Sequence, residues 1–126
     1  MPVKYLSKEW ADEFNTSAAA ANTAPYRGKN ATLLNVVSDA PDGEVRYVIR
    51  FSGDSASITL GDLENPDVTM SQNYENASAI NKGELDGQRA FMQGKVKISG
   101  KMVKMMQLRG ALAEVSKVLG TIDTEY

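Results

Sequence analysis

The chain has 126 residues, with 14 Lys plus Arg, 16 Asp plus Glu, no His and no Cys, which suits a single domain over residues 1–126 with one core and no disulfide staples. Lack of Cys and His also excludes thiol nucleophiles, imidazole bases and the zinc sites built from either, and a formal net charge of −2 is the wrong footprint for a nucleic-acid binder. No apolar run reaches the ~18 residues of a membrane span and the start MPVKYLSKEW carries charge where a signal peptide would be apolar, so a soluble, intracellular protein is expected.

The first element reads as a helix over 7–21: Ser7 can cap it, Glu9 suits its positive end, and Trp10, Phe14, Ala18 and Ala21 recur at near-helical spacing before Pro25. Residues 22–30, with Pro25 and Gly28, form a loop. The run Thr32–Val37 is a strand that stops at Asp39-Ala40-Pro41-Asp42-Gly43, a strong turn. Val45, Tyr47, Ile49 and Phe51 then alternate with Glu44, Arg46 and Arg50, as a half-buried antiparallel strand requires. Alternation resumes at Ala56, Ile58 and Leu60, and again at Val68 and Met70 after Asn65-Pro66-Asp67.

Beyond Met70 the period changes. Tyr74, Ala77 and Ile80 suit a short helix between Asn73 and Gly83, and residues 86–93 suit another closed by Gly94. Lys95–Ser99 returns to period two with Val96 and Ile98 inward, giving a fifth strand. Met105, Leu108, Leu112, Val115 and Leu119 define a C-terminal helix over 101–120, with Gly110 a weak point and Lys104, Glu114 and Lys117 off the stripe. The order is α+β: a mainly antiparallel five-stranded sheet whose apolar face is covered by helices, with the sheet and covering helices over 31–100.

No catalytic motif is present, neither G-x-S-x-G nor a Walker sequence nor G-x-G-x-x-G nor H-E-x-x-H. Asp62, Glu64 and Asp67 read as a solvated turn, because Pro66 and Val68 interrupt any calcium-loop pattern. Five of six Met (Met70, Met92, Met102, Met105, Met106) fall between 70 and 106. They are either ordinary core or a deformable wall for an apolar ligand. Six basic residues and no acid lie between Gln88 and Ala113, against eight acids and two bases over 39–75. Lys95, Lys97, Lys101 and Lys104 are thus either a solvated face or a dock for anionic headgroups.

The segment from Gly83 to Met102 resembles the sterol carrier protein type 2 family, whose signature is a short Gly-bounded helix, Ala-Phe with a second apolar residue, then Gly-Lys-apolar-Lys-apolar-x-Gly. Residues 90–100 match it position by position, and Phe51 with Gly53 and Asn65-Pro66-Asp67-Val68 extend the similarity over roughly Val45 to Leu112. The resemblance implies an apolar cavity between sheet and helices that binds a sterol, fatty acid, acyl-CoA or phospholipid without catalysis. Phe91, Met92 and Gln93 would flank that cavity and Met102, Met105 and Met106 would close it. With the inward strand and helix positions, the candidate ligand-binding set is Tyr47, Ile49, Phe51, Ile58, Leu60, Met70, Phe91, Met92, Gln93, Val96, Ile98, Met102, Met105, Met106 and Leu112. No catalytic residue, metal or cofactor is expected. The end Thr121–Tyr126 lacks a peroxisomal Ser-Lys-Leu signal, which favours the cytoplasm. The alternative is an interaction module with a vestigial pocket; the physiological ligand and the choice between monomer and homodimer stay open.

Overall fold

A computed structural model of the chain describes residues 2–20 and 23–126. In chain order the elements are β1 (Val3–Lys4), α1 (Lys8–Ala20), a 3-10 turn (Ala24–Tyr26), β2 (Lys29–Ser38), β3 (Val45–Gly53), β4 (Ser55–Leu60), β5 (Val68–Asn73), α2 (Tyr74–Lys82), α3 (Gly87–Met92), β6 (Lys97–Gly100), α4 (Met102–Gln107), α5 (Arg109–Leu119) and β7 (Thr124–Glu125). The main sheet has five strands in the order β4-β3-β2-β5-β6. Its pairs are antiparallel except β2 with β5, which run parallel. The α+β order and the five-stranded, mainly antiparallel sheet therefore stand. The two-residue strands β1 and β7 pair in parallel as a separate sheet, too short to leave a sequence signal.

Alternation puts most of the buried strand residues on one face, although Leu34 and Val48, paired on the opposite face, are buried as well. Ala31, Leu33, Val37, Tyr47, Ile49, Phe51, Ala56, Ile58 and Val68 point to one face and join a single core cluster with Trp10, Phe14 and Ala18 of α1 and Ala111, Val115 and Val118 of α5. Helix α1 packs on β4 and also protects that edge strand: the Asn15 carboxamide donates to Ile58 O at 3.0 Å and accepts from Ile58 N at 2.7 Å. An edge strand's free backbone groups are thereby partly sealed.

Local chemistry sets the boundaries. Trp10 N donates to Ser7 Oγ at 3.2 Å, so Ser7 caps α1; the expected end at Ala21, and Asn22 of the loop, lie outside the described residues. Asn73 caps α2 through the Asn76 amide, Gly83 closes it, and Asp86 caps α3 through the Gln88 and Arg89 amides. The C-terminal helix expected over 101–120 is instead two helices, broken at Leu108 with φ −94° and ψ 2°. The break comes two residues before Gly110 because Leu108 is drawn into the core, at 2% exposure, while no residue of α4 is buried. Glu114, expected off the apolar stripe, is buried as well: α5 packs both on α1 and on the Ala24–Tyr26 turn, so more than its Leu-Val stripe is covered. Residue Val96, expected inside the fifth strand, precedes β6.

An open sheet edge and its cations

Burial across the sheet is uneven. Leu60, Tyr47, Asn35, Met70 and Ile98 form one row over all five strands. Tyr47 and Asn35 in the middle of the row are buried, whereas Leu60 at the β4 end and Met70 and Ile98 at the β5–β6 end are half-buried. The reason is the cover above them. On the β3–β4 side α1 presents Trp10, which meets Tyr47 edge to face at 5.4 Å between ring centroids. Burial pushes the Tyr47 phenol well above its ordinary pKa. On the β5–β6 side the cover is α4, six residues long and without one buried side chain.

The candidate ligand-binding residues accordingly fall into groups. Tyr47, Ile49, Phe51 and Ile58 lie in the closed core. Leu60 is half-buried on the far edge strand β4. Met70, Ile98, Met105 and Leu112 are partly buried against the core, and Val96 is buried, its amide directed to Ala90 O at 3.4 Å. Phe91, Met92, Gln93, Met102 and Met106 are exposed. Among the described residues the exposed large apolar side chains are Phe91, Met92, Met102, Val103, Met106 and Tyr126, and all but Tyr126 lie on α3 or α4, flanking β6 in the chain. Val103, 71% exposed, escaped the sequence reading, which followed methionines and the stripe starting at Met105. The side chain of Arg109 donates to Gln88 Oε1 at 3.1 Å, tying the start of α5 to the start of α3.

Asp67 departs from the solvated-turn expectation. Its side chain is only 18% exposed and its Oδ2 accepts from Thr32 N at 2.9 Å and Thr32 Oγ1 at 3.4 Å. Lys101 Nζ lies 3.1 Å from Oδ1 and Lys104 Nζ 3.5 Å from Oδ2. The Thr32 amide, followed by the two lysines, holds this carboxyl below the usual Asp range. The backbone carbonyl of Asp67 also accepts from Lys101 N at 2.9 Å, so β2, β5, β6 and the start of α4 meet at one residue. Of the four expected headgroup cations, Lys101 and Lys104 are thus paired with Asp67, whereas Lys95 and Lys97 are exposed and make no ion pair among the described residues.

A surface depression of about 350 Å³ lies elsewhere, lined by Asn81, Lys82, Leu119, Gly120, Ile122, Thr124 and Tyr126. It contains none of the candidate residues, and its rim is occupied by the chain's own contacts, Asn81 with the Tyr126 hydroxyl and Lys82 over the Tyr126 ring. Among the described residues no group of three or more acids is placed to hold a metal ion, and no helix is long and apolar enough to cross a membrane.

Comparison with known proteins agrees with this architecture. Sterol carrier protein 2 of Gallus gallus is 29% identical over 82 residues, which are 64% of this chain and 15% of that protein; the chain therefore spans well under two thirds of that relative's length. Among solved structures, a crystal structure of sterol carrier protein 2 superimposes with a TM-score of 0.79 at 16% identity, covering 94% of this chain and 99% of that one. The solution structure of a conserved hypothetical protein from Thermus thermophilus, described as possibly a sterol carrier protein, gives a TM-score of 0.76 at 16% identity, covering 98% and 92%. Those likenesses establish the fold. Residues 11–113 match the SCP-2 sterol transfer family as a whole, and with most of its length inside that match the chain belongs to this family.

Proposed function

We propose that the chain acts as a single lipid-binding unit without catalysis, taking a lipid-like ligand at the β5–β6 edge between the sheet, α3 and α4. The observation that carries this reading is the set of exposed apolar side chains, Phe91 at 40%, Met92 at 79%, Met102 at 42%, Val103 at 71% and Met106 at 69%, on the two helices that flank β6 in the chain; Met70, Ile98, Met105 and Leu112 are half-buried. A protein gains nothing by holding these in water: covering even half of such a group is worth about 1 kcal/mol per side chain. The methionines among them suit a wall that repacks around different tails.

Within this proposal the candidate set divides by role. Met70, Phe91, Met92, Gln93, Ile98, Met102, Met105, Met106 and Leu112 line or flank the site, and Val96 supports α3 from below. Tyr47, Ile49, Phe51, Ile58 and Leu60 form the base. An apolar cavity between sheet and helices, expected from the family, forms as α4 yields to the ligand. Lys95 and Lys97 face an anionic membrane surface during loading, each contributing about 1 kcal/mol.

The test is native mass spectrometry of protein re-isolated from phosphatidylglycerol vesicles doped in turn with palmitate, palmitoyl-CoA or cholesterol, combined with melting curves. A one-to-one adduct and a raised Tm are expected for at least one of them, about 2.7 kcal/mol of stabilisation at a hundredfold excess over Kd. No adduct and an unchanged Tm with all three would refute the reading.

A further inference from the structure

Helix α4 is held to the sheet by charge pairing as well as by the packing of Met105 against the core. None of its residues is buried, no side chain caps its start at Lys101, and the two lysines of its first turn both reach Asp67. The carboxylate is the fixed partner, at 18% side-chain exposure and gripped by Thr32, while the Lys101 and Lys104 side chains are 69% and 35% exposed. No acid occurs between Gln88 and Ala113, so Asp67 is brought to this basic stretch by the fold alone. Asp67 directly precedes Val68, which pairs with Gly100, and the Met70–Ile98 pair lies two residues further along the strand, about 7 Å away. The Asp67 carboxylate sits with Thr32, at the opposite strand parity from Met70, but Lys104 directly precedes Met105 in α4, so an amphiphile whose tail lies on Met70, Ile98 and Met105 meets this charge cluster through Lys104.

We propose, building on the lipid-binding reading above, that Asp67 sets the head-charge selectivity of the site. By occupying Lys101 and Lys104 it lowers the cluster from two positive charges to one. An anionic head thus meets a partly neutralised pair, while a neutral head of the same tail is unaffected. Removing the carboxylate and keeping its acceptor for the Thr32 amide, as Asp67→Asn does, frees both lysines for the ligand.

Isothermal titration calorimetry with laurate and 1-dodecanol, at low salt and near neutral pH, tests this on the wild-type chain, Asp67→Asn and the double variant Lys101→Gln/Lys104→Gln. Asp67→Asn tightens laurate binding about fivefold and leaves dodecanol within about twofold, since one charge contact at a partly exposed site is worth that much. The double variant weakens laurate and spares dodecanol. Should Asp67→Asn fail to fold by circular dichroism, Asp67→Ser, which also removes the carboxylate and keeps an oxygen acceptor, takes its place with the same expected outcome. Equal shifts for both ligands, or none, would overturn the assignment and leave Asp67 a structural residue. Acetate binding as tightly as laurate would also overturn it, since the lysines would then serve free anions. If the wild-type chain binds neither amphiphile, the lipid-binding reading itself falls, and the selectivity with it.

Discussion

Replacing Gly100 by Ala strikes the junction on which the open edge is built. Gly100 has φ +111°, and a Cβ there would stand 2.5 Å from Asp67 O and 3.1 Å from Val68 Cα. Both obstacles are backbone, so no rotamer change relieves them. The strained backbone costs roughly 1–3 kcal/mol, and displacing β6 from β5 endangers the Lys101 N to Asp67 O bond, worth about 1 kcal/mol. The expected loss is therefore about 2–4 kcal/mol, or about 8–15 °C in Tm for a chain of this size. Gly61→Ala supplies the control. Its φ is similar, +126°, but nothing lies within 4 Å of the added Cβ, so it reports the backbone strain without the clash. Thermal unfolding followed by circular dichroism gives the magnitudes, and hydrogen exchange gives the location: amides of 97–101 should lose protection before those of α1 and β3. A Gly100→Ala chain that melts within about 2 °C of Gly61→Ala would mean that the close approach to Asp67 carries no energy.

Asp67 should also impose an acid limit on stability. Its carboxyl is held below the ordinary 3.8 in the folded state, so its contribution is complete above that value and is lost as pH falls through the lowered one; the stability gap between wild type and Asp67→Asn should shrink in urea titrations taken below about pH 4, and a gap constant with pH would contradict this. Asn15→Ala removes both bonds to the Ile58 backbone and should cost about 1–2 kcal/mol; light scattering should rise with it, since edge strand β4 is unsealed, and unchanged stability and scattering would count against the sealing role.

Much of the sheet was legible because its signals are local. Period-two runs place Tyr47, Ile49 and Phe51 on one face whatever lies above them, and Asn73 and Gly83 bound α2 through chemistry within a few residues. What escaped depended on distant partners. Leu108 sits on the apolar stripe of one continuous pattern, and only its burial by the rest of the fold turns the chain there. Asp67 lies among turn-forming residues, and its lysines are 34 and 37 positions later in the chain. Of the candidate ligand set, Tyr47, Ile49, Phe51 and Ile58 lie in the closed core, with Trp10 of α1 against Tyr47 and Tyr26 of the 3-10 turn against Phe51. Nothing in an alternating strand says which part of its face a helix will cover.

The chain has a single Trp, fully buried and set edge-on to Tyr5 and Tyr47 at 5.1 and 5.4 Å between ring centroids. Its intrinsic fluorescence therefore comes from one dry, aromatic environment at the closed end of the sheet, and selective excitation requires no label. Because Tyr47 belongs to the row that runs through Asn35 to Met70 and Ile98, a spectral shift on loading the far edge would reveal how stiffly that row transmits displacement. A silent indole would mean that the two ends of the sheet are mechanically independent.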